Sequence, residues 1–112
     1  MSKFDDCMVS FKGQLDGIGV SYDEDLLKKV AKGLGPSIYN RDSSTVAGSD
    51  KSELERVKKN FLIKKLGCAD GPNLDAAIAD VIGQMGTSTR NKYRAVMYYL
   101  LTKKLGKESV YG

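Results

Sequence analysis

The chain contains no histidine. That excludes His-based triads, a histidine general base and the common histidine-containing zinc sites. A base working near neutral pH would have to be a strongly shifted Asp, Glu, Cys or Lys, so no enzymatic activity is expected. Cysteine is scarce too. Cys7 and Cys68 form no Cys-x-x-Cys pair and, in a reducing compartment, read as small buried hydrophobes. No ligand cluster points to a metal, and no cofactor is implied. No apolar run approaches the ~20 residues that span a bilayer. The opening MSKFDDCMVSF carries Asp5 and Asp6 and lacks the apolar core of a signal peptide, so a cytoplasmic protein without membrane association is expected.

What remains is enough for one domain with a buried core: 112 residues with helical patterning throughout. Five segments carry the i, i+3, i+4 spacing of a helix with one apolar face. The first holds Phe4, Cys7, Met8, Phe11 and Leu15. The second holds Leu26, Leu27, Val30, Ala31 and Leu34, with Ser21 and Glu24 suggesting a capping box. The third starts after Ser49 or Asp50, with Glu53 placed to reciprocate an Asp50 cap, and carries Leu54, Val57, Phe61, Leu62 and Leu66. Lys58 and Lys65 intrude on that face. The fourth opens at Asp70 with Pro72 in its first turn and has the cleanest stripe: Leu74, Ala77, Ile78, Val81, Ile82 and Met85. The fifth spans about Ser88 to Leu105 with Thr87 as cap. An all-α fold follows, a compact bundle or orthogonal array of about five helices with no strand signal. A long crossover, GLGPSIYNRDSSTVAGSD at 33–50, joins helices two and three. Connections of that length are often functional; a short helix is expected at 37–40 or 43–47. Its glycines lack the spacing of a phosphate loop.

FLIKKLG at 61–67 matches LLTKKLG at 100–106 in five of seven positions. Paired lysines favour a helix C-terminus and glycine supplies the left-handed stop, so local physics explains the match without an internal repeat.

The net charge of +4 is unevenly spread. Residues 51–66 and 87–112 are rich in Lys and Arg, whereas 67–86 hold Asp70, Asp75 and Asp80 without a cation. Mutual salt bridging is the plainer explanation, since a markedly more basic domain is the stronger nucleic-acid signal. The alternative is a nucleic-acid-binding protein that uses the basic third and fifth helices.

The start of the fifth segment, TSTRNKYRAVMYYLL, raises a sharper question. Cations are disfavoured at a helix N-terminus, yet Arg90, Lys92 and Arg94 stand there. A helical wheel puts Arg90 and Arg94 in the middle of the apolar arc with Met97 and Leu101, and Lys92, Tyr99 and Lys103 on the wet face. An enclosed guanidinium needs an anion. That anion is either an internal carboxylate, with Asp42 of the crossover the first candidate, or an external ligand gripped by Arg90, Arg94, Arg41 and Lys92. Tyr39 and Tyr99 are the aromatic residues placed to touch a partner, which includes a second copy of the chain. A helix-turn-helix reading, with Ser88, Thr89, Arg90 and Asn91 facing base edges, fits poorly because Lys92 and Ile82 occupy positions that such a motif fills differently.

GLGPSIYNRD, FLIKKLG and RNKYRAVMYYLL, with the closing GKESVYG, resemble a bacterial family of small all-helical proteins catalogued as a domain of unknown function, number 2853. The resemblance covers nearly the whole chain and implies a small cytoplasmic protein; it supplies no catalytic residues. From the residues themselves the expectation is a helical binding or interaction protein. It would engage an anionic ligand or partner through helix five and the 33–50 crossover.

Overall fold

The computed structural model describes residues 3–39, 45–46, 50–86 and 92–111. The helical periodicity accounts directly for three elements. Helix α1 (Lys3–Gly17) buries Met8, Phe11 and Leu15, with Phe4 and Cys7 packed at the edge of the core. Helix α2 (Glu24–Leu34) buries Leu26, Leu27, Val30 and Ala31. Its cap is Asp23, not Ser21: Asp23 Oδ1 accepts from the backbone N–H of Asp25 at 3.0 Å and of Leu26 at 3.3 Å. A carboxylate there satisfies two orphan donors and also complements the helix dipole. Helix α4 (Pro72–Met85) has Pro72 in its first turn and buries Leu74, Ala77, Ile78, Val81 and Met85.

Helix α3 (Lys51–Arg56) is capped by Asp50 Oδ1, which accepts from Ser52 and Glu53. It then widens into a π-helical segment, Val57–Ile63. There the Leu66 N–H donates to the Phe61 carbonyl at 2.9 Å, five residues back. The segment buries Val57, Phe61 and Leu62. Both Lys-Lys-Leu-Gly stretches end helical structure as expected, with Gly67 at φ 71° and Gly106 at φ 66°.

Helix α5 (Arg94–Lys104) departs most from the sequence reading. It starts at Arg94 because Lys92 and Tyr93 are extended. They form strand β2, antiparallel to β1 (Thr45–Val46), with Thr45 opposite Tyr93 and Val46 opposite Lys92. A two-residue pair is the only sheet among the described residues, so the all-α class stands. The crossover therefore contains a 3-10 turn (Gly35–Tyr39) and a strand at 45–46, where one of the two expected short helices would have fallen.

All of Ala95 to Thr102 is buried, so α5 is the central helix, with α1, α2 and α4 against it. Over Ala95–Thr102 a helix surrounded in this way has no wet face, although Lys103 is exposed as expected, and two expectations need correction. Tyr99 is 1% exposed rather than on a polar surface. Its hydroxyl accepts from the Asp23 backbone N–H at 2.7 Å, tying α5 to the start of α2. Lys92 is 4% exposed rather than outward-facing, because it lies in a strand to which a helical wheel does not apply. A second tie joins β2 to α1, where Gln14 Oε1 accepts from the Tyr93 N–H at 3.1 Å; Phe11 meets the Tyr93 ring edge-on at 5.2 Å. No helix among the described residues is long and apolar enough to cross a membrane.

Candidate functional site

Arg94 is the one residue of the arginine pair that can be placed. It occupies the first position of α5, beside β2, with its side chain 17% exposed. Nη2 bonds Glu53 Oε1 of α3, itself 18% exposed, and Nη1 donates to the Tyr98 hydroxyl at 3.0 Å. The Thr45 carbonyl of β1 lies 3.5 Å from Nη2. Burial works against the guanidinium charge. The hydrogen bonds to Glu53 and then Tyr98 outweigh it, holding the group above its ordinary value. Glu53 thus serves Arg94 across the fold, not the capping box at Asp50 in which the sequence placed it. Arg90, Arg41 and Asp42 lie outside the described residues. Lys92 and Tyr99 are enclosed as described above. Tyr39, on the 3-10 turn after α2, is 47% exposed.

The Arg94–Tyr98 bond leads to a feature absent from the sequence reading. Tyr98, held at its hydroxyl by Arg94, stacks on Phe61 of the π-helical segment with ring centroids 3.8 Å apart and planes inclined 12°. The stacked pair borders a cleft of about 230 Å³ whose other lining residues are Gly33, Leu34, Asn60, Lys65 and Tyr111. Tyr111 arrives on a C-terminal 3-10 turn, Glu108–Tyr111. Its ring stands against Gly33, where an added Cβ would sit 3.5 Å from the ring edge. The Lys65 ammonium lies 5.2 Å from the Tyr111 ring centroid. Burial, helped by the nearby Tyr98, pushes the Tyr111 hydroxyl up to about 12. Three aromatic rings, one lysine and one amide therefore converge, with no carboxylate among the described lining residues. No pattern in the sequence points to this. Phe61, Tyr98 and Tyr111 were legible only as separate aromatics, because the π-helical turn and the folding-back of the C-terminus bring them together.

The charged segments meet as salt bridges. Lys58 lies 3.2 Å from both Asp70 and Asp75, which raise its affinity for a proton. Lys104 lies 3.2 Å from Asp80. The acidic stretch is thus shared between the two basic ones that flank it. The Cys7 thiol is pushed up, by burial first and Asp6 second. An activated thiol needs the opposite shift.

The sequence itself supplies one further finding, a match of residues 13–109 to a family profile. The chain belongs to the family described as Protein of unknown function (DUF2853). The match covers the cleft lining from Gly33 through Phe61 and Lys65 to Tyr98 and stops short of Tyr111. No functionally curated protein matches the chain.

Proposed function

We propose that this DUF2853 protein works by binding, without chemistry of its own, and that its ligand is a small aromatic anion held in the Phe61–Tyr98–Tyr111 cleft. The observation that carries this reading is the lining: aromatic rings, a lysine and an amide, with no carboxylate side chain among the described lining residues. Aromatic faces take a planar ring by offset or edge-on contact, while Lys65 and Asn60 supply a charge and a directed amide for the acidic group. Helix α5 keeps a part in the anion reading through Tyr98. Arg94 acts one step back, as a positioning residue that holds the Tyr98 hydroxyl. Its own charge is already committed to Glu53.

Titration of labelled protein with benzoate tests this. Saturable shifts are expected at Gly33, Asn60, Phe61 and Lys65, with acetate and benzyl alcohol each far weaker. Lys65→Gln should weaken benzoate by about tenfold, the scale of one charge-assisted contact. Equal binding of benzyl alcohol, or no shifts at these amides, would contradict the proposal. The nucleic-acid alternative draws less support, because Lys58 and Lys104 of the basic segments are already paired with acids of the segment between them. Anisotropy with random duplex at low salt reads it directly.

A further inference from the structure

Tyr111 has a position that no other cleft residue shares. It lines the cleft of about 230 Å³ and also a neighbouring concavity of about 450 Å³, bounded by Asp23, Asp25 and Lys29 of α2 and by Lys103 of α5. Both concavities lie along α2, one at its Gly33–Leu34 end and the other at its Asp23–Asp25 end. Tyr111 is the one described residue common to the two linings, so the turn that carries it stands between them.

Helix α5 does not need that turn. Its end is closed before the turn begins: the Gly106 N–H donates to the Lys103 carbonyl at 3.2 Å, and the Lys107 N–H to the Thr102 carbonyl at 3.0 Å. With Gly106 at φ 66°, these two bonds make a Schellman closure, which satisfies carbonyls of the last helical turn. The turn itself, Glu108–Tyr111, buries none of its residues, and Val110 is exposed. The Val110 N–H donates to the Lys107 carbonyl, within the same stretch. Glu108 pairs with Lys103 at 3.8 Å, both about half exposed, a contact worth little. What docks the turn on α2 is therefore chiefly one side chain, the Tyr111 ring, set against Gly33 and beside the Lys65 ammonium.

We propose that the Glu108–Tyr111 turn is a hinged strap that swings open at Gly106–Lys107 while α5 stays folded, and so uncovers the Phe61–Tyr98 face of the cleft. Segments with few buried contacts open locally at far lower cost than the whole fold. A hold of one partly buried ring sets an open form at about 1–10% of molecules. Opening joins the two concavities, so a ligand enters past the displaced ring and is enclosed when the ring returns. That the strap serves a ligand rests on the cleft reading above; the opening itself does not.

The test is relaxation dispersion on the full chain, first without ligand. Exchange with one shared rate is expected at Ser109, Val110, Tyr111, Gly33 and the Lys65 side chain, with the amides of Leu100 and Leu101 silent. Tyr111→Ala should abolish it and move the Gly33 resonance to its open-form position. Tyr111→Phe, which keeps the ring, should retain it. No exchange at Gly33 and Tyr111 overturns the proposal. Exchange at the same rate in Leu100 and Leu101 overturns it too, because the helix itself would then be fraying. Saturating benzoate should quench the exchange. Benzoate shifts at the cleft with the exchange unquenched would overturn the strap. No benzoate shifts, with the exchange present as described, would strike the cleft reading and leave the strap standing.

Discussion

The two ends of α5 carry cations under opposite physical terms. At the C-terminal end, Lys103 and Lys104 stand where the helix dipole favours positive charge. Their ion pairs, with Glu108 at 3.8 Å and Asp80 at 3.2 Å, are half-exposed. At the N-terminal end, Arg94 faces an unfavourable dipole and is largely enclosed, and there a carboxylate, a hydroxyl and a carbonyl converge on it. A charge at a favoured, wet helix end needs little from the fold. A charge at a disfavoured, buried end has to be built around. Arg94, one of the two arginines that first suggest an external anion, therefore has an internal one.

The comparison is broken most severely at Arg94. Arg94→Met should cost about 3 kcal/mol in denaturant unfolding, because Glu53 is left enclosed with only the looser 3.8 Å contact to exposed Arg56. A loss near zero would put Arg94 on the surface in solution. Next comes the tie between α5 and α2. Tyr99→Phe should cost about 1–2 kcal/mol, since the Asp23 N–H loses its acceptor in a part-buried setting. A tyrosine on a wet face would show no change.

The cleft gives a pH effect. The Tyr111 hydroxyl is raised in the folded protein, so the stability it contributes is whole below pH 10 and is lost as pH climbs towards about 12. Unfolding curves across that window should therefore fall less steeply for Tyr111→Phe than for the parent protein. Parallel curves would place the hydroxyl in water. Smallest of all, Lys104→Gln should change stability by no more than about 0.5 kcal/mol, and added salt should erase even that.

How much of this was legible in the sequence follows from the same physics. Stripes on one face revealed α1, α2 and α4, because each of those helices has one side in water and one in the core. α5 has no such contrast. The wheel drawn for it assumed a wet face, so Tyr99 was assigned to solvent. The near absence of polar residues from Ala95 to Leu101 was the better signal, marking a helix covered all round. The early start expected for α5 failed because residues 92–93 are claimed by β1, a tertiary pairing that leaves little local trace. Glu53 was read as a local capping partner for Asp50, the nearer of two uses for a carboxylate. Its short, enclosed ion pair is with a residue 41 positions away, while its other cation, Arg56, lies 3.8 Å off. The cleft was invisible for a similar reason. It depends on a π-helical turn that a 3.6-residue period cannot anticipate and on Tyr111 meeting Gly33 across the chain.

A double-mutant cycle between Arg94→Met and Glu53→Leu tests the comparison most directly. If the pair is the internal tie described above, the doubly substituted protein should regain most of the stability lost by either single change, with a coupling of about 2 kcal/mol or more. Additive losses, with coupling near zero, would mean that the two charges do not depend on each other. The contrast between the two ends of α5 would then fail.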